Sequence, residues 1–172
     1  EIGLLENETI NLRKLNLKED KIPISDLAKI TIQNSDGCPR YASRVISNVK
    51  IGHSPEWLRN RLESVGQKSI NNVVDAANFV LMDTGHPMHT FDLGKLHNNE
   101  IIVRFSKKGE KFILLDEIER RLDSHHLLIC DGKSPIALAG IMGGQDSGIN
   151  ESTTDILIEG AYFDPKVIRK GA

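Results

Sequence analysis

Cysteine is scarce: the 172-residue chain carries two, Cys38 and Cys130, far apart in sequence. They form no metal-ligand pair and no disulfide framework, and read as two reduced thiols of a cytosolic protein. No apolar run is long enough to span a bilayer and no segment reads as a signal peptide, so membrane attachment is not expected. Charge of one sign is lacking too. A formal net charge of −2 excludes a protein that wraps nucleic acid by electrostatics alone, but not a local contact. A phosphate loop is missing: the glycine-rich run 140–144 is followed by Gln145 and Asp146, where a lysine and a hydroxyl residue are required. The G-x-S-x-G elbow of serine hydrolases is absent, and Asp146-Ser147-Gly148 reads as a turn.

What is present describes an ordinary globular chain with one substantial core, at 39% hydrophobic and 27% charged residues. Residues 1 to about 35 have short apolar runs without a sustained period and read as a lead-in segment or the edge of a neighbouring domain. Tyr41 to Ile51 reads as a strand. Ser54-Pro55 then opens a helix, serine as N-cap and proline at the first helical position, with Leu58, Leu62 and Val65 as its buried stripe and Gly66 as its stop. A second helix is expected over 71–83. Beyond residue 100 come short strands at 101–105, 112–115, 127–130, 135–139 and 155–159, with turns at Gly109-Glu110, Asp116-Glu117 and Asp131-Gly132. Asp164-Pro165 opens a last helix that has barely begun at Ala172, and both chain ends read as cuts in a longer polypeptide. The pattern predicts an α+β fold. Its core would be a closed or strongly curled antiparallel β barrel or sheet, with helices packed outside.

Residues 70–92 are the most informative stretch. Ile70, Val73, Val74, Ala77 and Leu81 make the apolar stripe of the second helix, while Asn71, Asp75 and Asn78 share another face. Gly85 suits the helix end and Pro87 stops it, which sets His89 just past the end, on stiffened backbone. His86, His89 and Asp92 have metal-like spacing, but Pro87 opposes the helix that would gather them, so no metal site is expected. Ala139 to Gly144 follows a strand and reads as a tight turn, or as a pocket wall whose backbone N–H groups approach a small ligand. Glu159 ends an apolar strand, where a carboxylate must be solvated, paired or functional. Basic clusters at Arg59 and Arg61, at Lys107, Lys108 and Lys111, and at Lys166, Arg169 and Lys170 read mainly as solvated faces, one of which could meet a phosphate backbone.

Several separated blocks, in order, resemble the editing module of the β subunit of bacterial phenylalanyl-tRNA synthetase. They are SPEWLRNRL at 54–62, INNVVDAANFV at 70–80, GHPMHTFDL at 85–93, GEK at 109–111, ALAGIMGG at 137–144 and IEGAYFDPKVIRK at 158–170. The resemblance implies a β barrel with helices around it and removal of tyrosine wrongly attached to the phenylalanine tRNA. It makes 36–172 the editing domain, truncated at its C-terminal end, since the family's Thr-Glu-Ala-Ser segment lies beyond Ala172. Glu159 falls at the family position that recognises the tyrosine hydroxyl, with a backbone group near Gly140 as second partner. His89 and Asn78 fall at positions around the ester and the water, and Gly143 where a larger side chain would block the pocket. The domain itself needs no cofactor or metal; the parent enzyme uses ATP and magnesium elsewhere. The implied partners are the 3′ end of tRNA(Phe) carrying tyrosine and, through the full β chain, the synthetase α subunit, in the cytoplasm. Glu117 stands where the family's turn usually carries glycine, His86 replaces a common glutamine and Gly160 another small residue.

Such a module has an energetic reason to exist. A hydrophobic pocket made for phenylalanine rejects an analogue with one more hydroxyl by only about a hundredfold. A site built to hydrogen-bond that hydroxyl rejects the analogue lacking it by roughly 10⁴–10⁵. The competing reading is a module that holds a tRNA end or an aromatic amino acid without cleaving anything, or that only braces the synthetase.

Overall fold

Leu127-Leu128-Ile129-Cys130 is apolar at every position, the pattern of a strand covered on both faces. The computed structural model describes residue 9, residues 14–144 and residues 148–172, and in it all four of these side chains are buried. Asp146 and Ser147, read above as part of a turn, lie outside the described residues. The strands are β1 (Lys29–Ile32), β2 (Arg40–Ile46), β3 (His89–Asp92), β4 (Glu100–Phe105), β5 (Glu110–Ile113), β6 (Glu119–Leu122), β7 (Leu127–Cys130), β8 (Pro135–Leu138), β9 (Met142–Gly143) and β10 (Ile156–Tyr162). The α-helices are α1 (Glu56–Ser64), α2 (Asn72–Thr84) and α3 (Pro165–Gly171).

The α+β class holds, but the expected closed or strongly curled barrel does not. Among the described residues the strands form an open five-stranded sheet, β1-β4-β7-β8-β9, a three-stranded sheet, β2-β10-β3, and the hairpin β5-β6. β1 and β9 stand at opposite edges of the larger sheet and do not meet. The reason is how the apolar faces are covered. Ile101, Val103, Leu127, Ile129 and Ala137 of the larger sheet share a core with Phe91 and Leu157 of the smaller one. Leu128, Cys130 and Leu138 point to the other face and pack with Phe112, Leu114 and Leu122, brought there by the hairpin and its flank. A sheet covered on both sides by other elements buries its apolar surface without closing on itself.

Residues 29–32, within the lead-in segment, form β1, which pairs in parallel with β4 while neighbouring Ala28 joins the core. The helices follow local rules, with one exception. Asn71 caps α2 by accepting from Val73 N and Val74 N, and Gly85 ends it in the left-handed region at φ 73°. Asp164 caps α3 through Lys166 N and Val167 N. At α1, however, the cap position belongs to Pro55, and Ser54 makes no cap bond. Its hydroxyl instead donates to Asp75 Oδ2 at 2.5 Å.

Asp75 is the second departure. Expected on a polar face with Asn71 and Asn78, it is fully buried at 0% exposure, while Ile70 of the expected apolar stripe is exposed. Its carboxylate also accepts from Ser69 Oγ at 2.6 Å and from Ile70 N at 2.8 Å. Burial pushes this carboxyl up, but the hydrogen bonds from Ser54, Ser69 and the backbone outweigh it and hold the group below the usual carboxylate range. The carboxylate ties the 54–55 turn and the 69–71 entry to one point on α2.

Candidate functional site

Glu159 lies in the middle strand of the smaller sheet, and strand alternation fixes its company. It pairs with His89 on β3 and with Ser43 on β2, while Leu157 pairs with Phe91 and Val45. Residues directly opposite, and those two along, share a face. Glu159, His89, Phe91, Leu157 and Tyr41 therefore look toward the core between the two sheets. The carboxylate is only 7% exposed and accepts the Tyr41 hydroxyl at Oε2, 2.7 Å away. Of the readings open for this residue, strand-end solvation falls away: the group is buried and paired.

Burial pushes the Glu159 carboxyl up to about 7, with the Tyr41 hydrogen bond pulling it partly back. Burial first, and the Glu159 charge second, raise the Tyr41 phenol well above its ordinary value, so it is a permanent donor at neutral pH. The same two causes push the buried Cys38 thiol up to about 11. Burial lowers His89, which is therefore a neutral imidazole at pH 7, with one ring nitrogen free of a proton. Its ring meets Phe91 edge to face at a centroid distance of 4.6 Å. A Cβ added at Gly143 would stand 3.3 Å from His89 Cε1 and 3.3 Å from Leu115 Cδ1. Glycine at 143 thus lets the backbone of β9 approach the imidazole.

The structure gathers three of the five candidates: Glu159 and His89 are cross-strand partners, and Gly143 lies against the histidine ring. Asn78 is half-buried on α2, which packs on β3; among the described residues no hydrogen bond joins it to His89 or Glu159. Gly140 adopts φ 67°, and its missing side chain faces Phe163 and Ile168, at the α3 side of the domain. A cleft of about 390 Å³, lined by Lys95, Lys111, Phe112, Asp131, Ile136 and Gly144 among others, holds none of the five. Asp92 accepts from Thr153 Oγ1 and from Gly94 N. Sequence reasoning passed over Tyr41 and Cys38 as members of this cluster. Nothing local marks them, because Tyr41 and Glu159 stand 118 residues apart.

A sequence model described as the B3/4 domain matches residues 37–172. The chain belongs to the B3/4 domain family. Among relatives of this B3/4 domain, the phenylalanine–tRNA ligase β subunit of Syntrophotalea carbinolica is 45% identical over 99% of the chain and 21% of its own length. The protein of the same name in Geobacter sulfurreducens is 50% identical over 87% of the chain and 19% of its own length. The chain thus spans about a fifth of the length of the curated relatives it matches. The crystal structure of an N-terminal fragment of the phenylalanyl-tRNA synthetase β subunit from Pyrococcus horikoshii superposes with a TM-score of 0.59 at 13% identity. That match covers 94% of this chain and 51% of the other, a likeness of fold. Among the described residues no helix is long and apolar enough to cross a membrane, and no group of three or more His, Cys, Asp or Glu is placed to hold a metal ion.

Proposed function

We propose that this B3/4 domain is the editing unit of a phenylalanine–tRNA ligase β subunit and hydrolyses tyrosyl-tRNA(Phe) at its aminoacyl ester. One observation carries the reading: a carboxylate buried on the inner face beside Phe91, Leu157 and His89 already accepts a phenol hydroxyl, here from Tyr41. A group solvated in this way by a phenol suits a second phenol, that of a tyrosyl ester. A phenylalanyl ester would put a bare ring edge against a buried acceptor, at a cost of about 1–3 kcal/mol or more if the acceptor is charged. The names of the relatives agree with the assignment, each being a phenylalanine–tRNA ligase β subunit.

In this reading Glu159 sets specificity, with a backbone group near Gly140 as its second partner, and Asn78 and His89 serve the ester. Water adds to the ester carbonyl carbon, the bond from that carbon to the ribose oxygen breaks, and the ribose oxygen takes up a proton. The products are tyrosine and uncharged tRNA. His89, neutral because it is buried, receives the proton of the attacking water. An aminoacyl ester is already activated, so a placed water and a stabilised oxyanion suffice without a covalent nucleophile. Gly143 keeps room beside the imidazole. Residues 36–172 form the editing unit and the preceding residues its lead-in. The near-neutral charge leaves most of the tRNA affinity to the rest of the synthetase, which acts in the cytoplasm with its α subunit.

The test offers tyrosyl- and phenylalanyl-tRNA(Phe) to the complete ligase and to its Glu159→Ala and His89→Ala variants. Faster release of tyrosine than of phenylalanine is expected, with the preference weakened by Glu159→Ala and the rate lowered by His89→Ala. Equal rates for both esters in the unmutated enzyme would remove the editing claim in favour of a binding or bracing module.

A further inference from the structure

Tyr41 belongs to no expected site, yet it makes the one hydrogen bond to Glu159 seen among the described residues. Its position is set by pairing. In β2 and β10, Tyr41 faces Ala161 and Ser43 faces Glu159, so the tyrosine lies diagonally across from the glutamate on the same face. That diagonal is within reach of a long aromatic side chain. The Tyr41 ring also packs against the core cluster that Phe91 and Leu157 belong to, which fixes where its oxygen stands.

We propose that Tyr41 is a positioning residue for specificity: its phenol pins one oxygen of Glu159 and so aims the other at the hydroxyl of an incoming tyrosyl group. This rests on the editing reading given above. A glutamate has three side-chain torsions, and a buried carboxylate without a partner swings toward water or loses its charge. Tyr41 opposes both outcomes: it ties the carboxylate in place and, by donating to the charged form, pulls the carboxyl partly back against burial. A carboxylate offers two oxygens and about four lone-pair positions, so one phenol donor does not saturate it. With Oε2 held at 2.7 Å, the carboxylate plane is fixed and Oε1 has a defined direction. A phenylalanyl ester gains nothing from that direction, because it has no donor to place there. Tyr41 acts through Glu159 and touches no reacting atom.

The experiment measures kcat and KM of the complete ligase for tyrosyl- and phenylalanyl-tRNA(Phe) in the Tyr41→Phe, Glu159→Ala and doubly substituted enzymes. Loss of a hydrogen bond that orders a charged acceptor predicts a tyrosyl KM raised roughly tenfold or more by Tyr41→Phe. The tyrosyl kcat and both phenylalanyl constants should stay within about twofold. In the Glu159→Ala background, Tyr41→Phe should add nothing, because the residue it acts through is gone. An unchanged tyrosyl KM, or an equal loss with and without Glu159, overturns the role of Tyr41 while leaving the editing reading intact. Equal ester rates in the unmutated enzyme overturn both. Should Tyr41→Phe not fold, a ring-fluorinated tyrosine at position 41, a stronger donor of the same shape, must lower the tyrosyl KM; no change there refutes the proposal.

Discussion

Replacing Glu159 with glutamine keeps the shape of the side chain and an acceptor for the Tyr41 hydroxyl, removes the titration, and puts an NH2 donor in place of the second oxygen. In the native chain burial holds the folded carboxyl at about 7, well above its ordinary value of 4.5. Between these two values the folded protein keeps a proton that the unfolded chain has released. Stability is therefore fully present below the unfolded value, falls as pH rises through the interval, and stays low above the folded value. The displacement corresponds to about 3 kcal/mol when complete. Glu159→Gln should thus raise stability by about 1 kcal/mol at pH 5 and by about 3 kcal/mol at pH 8.5, the latter roughly 6–12 °C in melting temperature for a chain of this size. Urea denaturation of both proteins at pH 5, 6, 7 and 8.5 measures the difference directly. His89 contributes with opposite sign, since its lowered value makes stability rise with pH through the unfolded histidine range, but that contribution is common to both proteins and drops out. A difference that is the same at every pH would refute the reasoning, because it would mean that the carboxylate is ionised in the fold without cost.

Three further outcomes are expected. Asp75→Ala leaves the Ser54 and Ser69 hydroxyls and the Ile70 N–H without their buried acceptor and should cost about 3 kcal/mol, read as a lower urea midpoint, with Asp75→Asn milder. Gly143→Ala puts a methyl group 3.3 Å from the His89 ring and should lower tyrosyl-ester hydrolysis about tenfold or more, with a melting temperature within a few degrees of the parent. Glu117 holds φ 62°, a left-handed conformation that costs a side-chain-bearing residue about 1 kcal/mol, so Glu117→Gly should raise stability by about 0.5 kcal/mol after the greater freedom of glycine in the unfolded chain is counted; a lowered urea midpoint would contradict this.

The chain's local grammar was legible wherever one segment decides its own conformation. Gly85 and Pro87 end α2, Asp164-Pro165 starts α3, and the apolar runs at 101–105 and 127–130 are strands, because capping, left-handed φ and side-chain periodicity act within a few residues. Four strands escaped for the same reason, among them β9, which pairs with β8 within the 139–144 run read as a tight turn or pocket wall. β6 reads Glu-Arg-Arg-Leu, and its place depends on pairing with β5, including the Lys111–Glu119 ion pair across the hairpin. β1 exists through its parallel alignment with β4. β3 holds His89 and Asp92, which as a sequence looks like the tail of a turn, and it is a strand because β10 lies beside it. Asp75 shows the converse error: spacing along the helix put it on a polar face, whereas partners from the 54–55 turn and the 69–70 segment give that face a buried polar centre.

By itself, then, the sequence determined the α+β composition, the bounds of the helices and of the strands at 100–105, 127–130 and 135–138 to within a residue or two, and the out-of-place carboxylate at 159. Only the tertiary structure decided that the sheets stay open, that β10 sits between β2 and β3, and that a phenol from the start of the domain reaches Glu159 near its end. The physical reason is range. Torsions and caps are settled by neighbours in the chain, whereas burial, and with it the proton affinity of Glu159 and His89, is settled by whatever the fold lays on top of them.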